Sequence, residues 1–183
     1  MTKTRVLLLC GLIATLSVPA RATVLIPADL GELSRDAIAI ARGRVAALDT
    51  QWTEDRGTIE TIVTLEVESY LKGALGSTLR FKVPGGDLGR FRSVVVGAPE
   101  FAVDQRVVVF LGARGPSVPY VLGFNQGVYR VSRAASGWMV TSPVLMPAVS
   151  GGAVRVVRGD PARRAQPLGD FEQAVRSLAG GAK

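Results

Sequence analysis

Residues 58–73, TIETIVTLEVESYLKG, alternate with a period of two. Ile59, Thr61, Val63, Leu65, Val67 and Leu71 fall on one side of the pattern. Glu60, Thr64, Glu66, Glu68 and Lys72 fall on the other, with Ile62 and Tyr70 as apolar exceptions. Successive strand side chains point to opposite faces, so the pattern dictates a long strand with one face on a core and one in water. The odd positions are expected inward and the glutamates outward.

Partners for that strand lie on either side of it. Residues 36–48, DAIAIARGRVAAL, carry alanines that favour helix, but Ile38, Ile40 and Val45 favour a strand and Gly43 a bend in it. Residues 49–57 form a polar connection with Asp55-Arg56-Gly57 as the turn signal. Residues 78–83 alternate again, and residues 106–111, RVVVFL, are an unbroken apolar run that reads as a buried central strand. Residues 84–89 read as a loop, and residues 94–96 and 120–122 as short strands. Residues 127–132 and 137–141 read as a hairpin across a loop of about four residues. Residues 153–157 read as a last edge strand.

Helices are expected at both ends. Asp29 with Glu32 opens a helical turn or two. Asp170, with Gln173 three residues on, caps a C-terminal helix with Phe171, Ala174, Val175 and Leu178 on one face and Gly180-Gly181 as its stop. The fold class is therefore mainly β: a small antiparallel barrel, OB-like, or a sandwich, with a short N-terminal helical turn and a C-terminal helix.

The N-terminus has the anatomy of a secretory signal peptide. Lys3 and Arg5 precede the apolar run 6–18, VLLLCGLIATLSV, and Ala20-Arg21-Ala22 offers a small-x-small cleavage site. The run is short for a membrane span. Leu9 before Cys10 does not suit a lipoprotein signal. The expected organisation is a cleaved signal over residues 1–22, a barrel-like domain over 23–158, and a linker with the C-terminal helix over 159–183. Cleavage follows Ala22, or alternatively Ala20, and delivers the chain to the periplasm or the exterior.

Cleavage takes three of the 22 basic residues and none of the 15 acidic ones, which leaves a net charge of +4. A small, dispersed charge is not a nucleic-acid footprint. No second apolar run is long enough to span a bilayer. Cys10, the single cysteine, leaves with the signal, and the chain has no histidine. The mature chain thus has no disulfide, no Cys or His ligand for structural zinc, no Ser-His-Asp triad and no Cys-His pair. Carboxylate chemistry, Ser-Lys chemistry or no chemistry remains. No catalytic, cofactor or metal residue is assigned.

Binding candidates lie in the loops. Trp52 in a polar connection is the best single anchor for a partner, with capping one end of a barrel as the equal alternative. The glycine-rich segment 84–89 lacks the Lys and Ser/Thr of a phosphate loop; Asp87 with Arg90 and Arg92 is instead a candidate binding lip. Glu100 precedes the buried run, and Asn125-Gln126 forms an amide-rich turn. Glu60, Glu66 and Glu68 read as a solvated strand face. Arg155, Arg158, Arg163 and Arg164 read as a basic linker.

The order of features resembles a known family. Asp36-Ala37-Ile38-Ala39-Ile40 leads into Gly43-Arg44-Val45, a long strand ends in Tyr70-Leu71-Lys72-Gly73, and the apolar strand Val107 to Leu111 follows. This is similar to the netrin-like module of the tissue inhibitors of metalloproteinases, over residues 33–131, and to secreted bacterial proteins of that layout. The resemblance implies an OB-like barrel. Those inhibitors act through an N-terminal cysteine that chelates the catalytic zinc, and this chain lacks it.

The expected function is an exported, non-enzymatic binding module of the bacterial envelope or secretome, with a protein or an envelope polymer as partner. The alternatives are a carboxylate-based envelope hydrolase or lyase, which needs Asp87 and Glu100 to converge, and a protease inhibitor or protease-associated domain by fold analogy. Mass spectrometry of protein recovered from cell fractions checks the export reading. A chain starting at Thr23 outside the cytoplasm is expected, and an intact Met1 terminus contradicts it.

Overall fold

The computed structural model describes residues 28–115, 117–143 and 165–180. The expected signal segment, the edge strand expected at 153–157 and the arginines of the expected linker lie outside the described residues. In chain order the elements are α1 (Leu30–Asp36), β1 (Ala39–Trp52), β2 (Ile59–Lys72), β3 (Thr78–Pro84), β4 (Gly86–Leu88), β5 (Phe91–Ser93), β6 (Arg106–Gly112), β7 (Tyr120–Val121), a 3-10 turn at Phe124–Gly127, β8 (Val128–Ala134), β9 (Gly137–Thr141), β10 (Gln166–Pro167) and α2 (Leu168–Gly180).

Strand β1 is paired along both edges. It runs antiparallel to β2 from Ile40↔Lys72 to Trp52↔Ile59, and antiparallel to β6 from Ala39↔Leu111 to Arg44↔Arg106. β3 follows β2, and β7 joins β3 to β6, so the order β1-β2-β3-β7-β6-β1 closes a ring. The seal is partial: β3 and β7 meet in parallel at Lys82↔Tyr120 alone. β6 also pairs with β8, and β9 and β10 extend the sheet as a wing. The protein is mainly β in a partly closed barrel, as the alternating segments require.

Two cores result. Inside the ring pack Ala41, Val45, Val63, Leu65, Leu79, Phe81, Val83, Val107, Val109 and Leu111. Outside it, Ile40, Val108, Phe110, Tyr129, Val131 and Val140 meet Leu33 of α1 and Leu168, Phe171 and Val175 of α2. Alternate residues of β6 serve the two cores, which is why its sequence is an unbroken apolar run.

The inward parity of β2 holds through Val67 and then changes. Arg42 and Gly43 pair with Ser69 and Val67, and Ile40 and Ala41 pair with Lys72 and Tyr70, so Glu68 and Leu71 are extra residues. These β-bulges turn Tyr70 toward the ring interior and Leu71 toward the helices. Leu71 therefore does not share the inner face, contrary to the simple alternation. Ile62, on the polar side, is buried as well.

At Gly43 strands β1 and β2 come too close for a side chain. A Cβ there would lie 2.2 Å from the Glu66 carbonyl oxygen and 2.9 Å from Leu65 Cγ. Val45 still bonds Gln105 and Asp104 ahead of β6, and past it β1 continues with β2 alone; the register shift between Arg42 and Gly43 falls where only glycine fits.

The glutamates of β2 are paired. Glu66 binds Arg44, and Glu60 lies 3.9 Å from Lys82. Glu68, re-aimed by its bulge, receives the Arg106 Nε at 2.8 Å and lies 3.2 Å from Arg42 Nε, which is not aligned for a hydrogen bond. Arg42 donates to Glu172 of α2 at 2.6 Å. A polar chain thus runs from the barrel wall to the helix that covers it.

Several elements differ from the sequence expectation. Residues 84–89 are not a plain loop: Gly86↔Ser93, Asp87↔Arg92 and Leu88↔Phe91 make a small hairpin. Residues 94–96 are no strand, and Val94 and Val96 are 75 % and 84 % exposed. The β8–β9 loop is a two-residue turn, because Ala134 already pairs with Gly137, whose φ of 118° suits glycine. The capping box at Asp29 and Glu32 is present, and Lys72 Nζ donates to the Ser34 and Arg35 carbonyls at the other end of α1. α2 starts at Leu168, so Asp170 lies in its first turn and is not its cap. Pairing of β10 with β9 feeds the chain directly into that helix. The buried face becomes Leu168, Phe171 and Val175, leaving Ala174 and Leu178 exposed.

Two substitutions separate close approach from propensity. Gly43→Ala should cost about 3 kcal/mol by forcing backbone apart. Gly169→Ala meets nothing within 4 Å and should be neutral or stabilising by up to about 1 kcal/mol. Urea denaturation measures both. Burial, and secondarily the charge of Asp29, push the Tyr129 phenol up to about 12. The neutral phenol is the favoured folded form. Its contribution is whole below the ordinary tyrosine range, near pH 10, and is lost as pH rises toward 12. Stability should fall by about 3 kcal/mol over that window. In alkaline denaturation series, Tyr129→Phe should remove most of this fall; an unchanged fall would contradict it.

Candidate functional site

Because β1 and β2 outrun β6, one end of the ring is open, and residues 84–101 pack across it. The hairpin is seated by backbone. Gly85 N–H donates to the Ile59 carbonyl at 2.8 Å. The Thr61 hydroxyl donates to the Gly85 carbonyl at 2.8 Å and lies 3.2 Å from the Thr50 hydroxyl. At Gly86, φ is 140° and a Cβ would fall 2.4 Å from Thr61 Oγ1. The double glycine is therefore a packing requirement and not a phosphate cradle.

Between strands and hairpin lies a cleft of about 410 Å³. Leu48, Thr50, Thr61 and Val83 line it from the barrel, Asp87, Arg92 and Val95 from the hairpin side, and Pro99, Glu100 and Phe101 from the returning chain. Asp87 and Arg92 face each other across β4 and β5, 3.4 Å apart and both largely exposed. Such an exposed pair contributes little to stability and leaves both charges accessible.

Trp52, the last residue of β1, meets Phe91 edge to face, with ring centroids 5.4 Å apart. The Arg90 guanidinium sits 4.9 Å from the Phe91 centroid on the same hairpin. Phe91 stays 45 % exposed and Trp52 38 %, with Val94 and Val96 close in sequence. The strand ends near Trp52 are held by a tight turn. Asp55 accepts from the Thr53 hydroxyl and from Gly57 N–H, which holds its carboxyl below the usual aspartate range.

Five of the seven sequence candidates thus gather around one end of the barrel: Trp52, Asp87, Arg90, Arg92 and Glu100. Gln126 does not, and Asn125 meets the 84–101 segment through its backbone. Gln126 is 1 % exposed, and its Oε1 accepts the Ala28 N–H at 2.9 Å, so it fastens the N-terminal lead-in and is not a surface contact. Asn125 is half-buried, and its N–H donates to the Gly97 carbonyl. Sequence reasoning missed Phe91, because residues 88–96 carry no period that would announce a hairpin; the Arg-Phe-Arg triplet was the available signal.

Among the described residues, no group of three or more His, Cys, Asp or Glu could hold a metal ion, and no helix is long and apolar enough to cross a membrane. No family model, no curated protein and no solved structure matches the chain.

Proposed function

We propose that this chain is an exported, non-enzymatic binding module that engages a protein partner through the open end of its barrel. The carrying observation is the Trp52–Phe91 pair, left exposed with Arg90 against Phe91, next to a cleft whose charged lining is Asp87, Arg92 and Glu100. An accessible aromatic centre within a charged rim is the anatomy of a protein interface. The rim carries both signs. A uniformly anionic polymer calls for a single-sign field, whereas a protein surface offers complementary charges of both kinds. The signal-like N-terminus supports export.

A hydrolase reading has one observation in its favour, since Asp87 and Glu100 line the same cleft. Carboxyl groups become general acids through burial in apolar surroundings. Both of these side chains are exposed, and Asp87 is engaged by Arg92. The binding reading is therefore preferred. The inhibitor reading rests on the resemblance alone.

Crosslinking and affinity capture from periplasm or culture supernatant test the proposal. Trp52→Ala or Phe91→Ala should weaken capture of the partner at least about tenfold. Trp138→Ala supplies the control, because Trp138 is also 38 % exposed but lies on β9. Equal losses from Trp52→Ala and Trp138→Ala, or no partner even after crosslinking, would count against it.

A further inference from the structure

A second cleft, of about 380 Å³, lies against the same segment, with Pro84 and Pro99 lining both. Its size is that of a small-molecule site. Tyr120 and Phe124 give it aromatic walls, and its two charged lining residues, Lys82 and Arg114, are both cations. The Arg114 guanidinium stands 5.6 Å from the Tyr120 ring centroid, and no acid among the described residues pairs with it. Lys82 has only the loose contact with Glu60 at 3.9 Å. Gly112 seats the ring: a Cβ there would lie 3.1 Å from Tyr120 Cζ.

Phe124 adds an independent observation. Its φ is 55°, a left-handed conformation that bulky residues rarely adopt. Such strain persists only where the surrounding structure holds it, and it gathers at ligand sites. Here it belongs to a residue lining the cleft, directly after Gly123 at φ 61°.

We propose that this cleft binds a small amphipathic anion, with a flat apolar body against Tyr120 and Phe124 and a carboxylate held by Arg114 and Lys82. One cation without an acid partner, Arg114, and one loosely paired, Lys82, beside aromatic walls supply both halves of that recognition. The site is separate from the aromatic lip, so its failure would leave the protein-binding proposal standing.

Amide-resolved NMR titration with phenylacetate tests it on the folded mature chain. Saturable shifts at Tyr120, Gly123 and Phe124 are expected, with a dissociation constant on the order of 1 mM. Phenylacetamide, the uncharged isostere, should bind about tenfold more weakly, and Arg114→Gln should weaken phenylacetate by a similar factor. Arg114 is exposed, so that variant should fold, which its unliganded spectrum reports. Equal binding of acid and amide, no effect of Arg114→Gln in a folded variant, shifts centred on Asp87 and Arg92, or no saturable shift would each overturn the proposal.

Discussion

Strand β1 is hydrogen-bonded along both edges, and at Gly43 it lies so close to β2 that no side chain fits between them. The rest of the architecture depends on that crossing. With β6 on one edge and β2 on the other, the sheet curls into a ring whose inner core is mostly aliphatic around Phe81, with Tyr70 and Phe101 packed against it. Beyond Val45, β1 is freed from the β6 side but not from β2, which stays paired with β3 as far as Glu60↔Pro84. The open end, the seat for the β4–β5 hairpin and the position of Trp52 all follow from where β1 parts from β6.

The barrel wall is amphipathic in an unusual sense, since its outer face is covered in part by helices and in part by paired charges. The bulge at Glu68 serves both. It frees one residue from the ladder and aims its carboxylate at Arg42 and Arg106, while Arg42 reaches Glu172 on α2. The apolar anchors Leu168, Phe171 and Val175 supply most of the docking energy of that helix. The partly exposed ion pairs chiefly fix its orientation.

Periodicity made most of this fold legible. Alternation in residues 58–73 and 78–83 and the apolar run at 106–111 identified β2, β3 and β6, and the Asp29/Glu32 spacing identified the first helix. What stayed hidden depends on contacts distant in sequence. The bulges that turn Leu71 outward arise from register against β1, and local pattern carries no register. The start of α2 at Leu168 depends on pairing with β9. Residues 84–93 form a hairpin because Gly85 and Gly86 let the backbone press onto Thr61, which composition alone read as a loop. Loop residues with exposed charge or aromatic character marked the site partly, but Gln126 has the same amide chemistry and is buried against Ala28.

The absence of histidine, with the single cysteine in the signal-like segment, narrows the chemistry available to this barrel. The accessible Trp52–Phe91 pair at its open end is the recognition surface proposed for it. Site-specific photocrosslinking in living cells tests that claim most directly, with a benzophenone side chain placed in turn at Phe91 and at Trp138. The account predicts a discrete protein adduct from position 91 and none of that mass from position 138. Adducts of the same mass from both positions, or from position 138 alone, would contradict it.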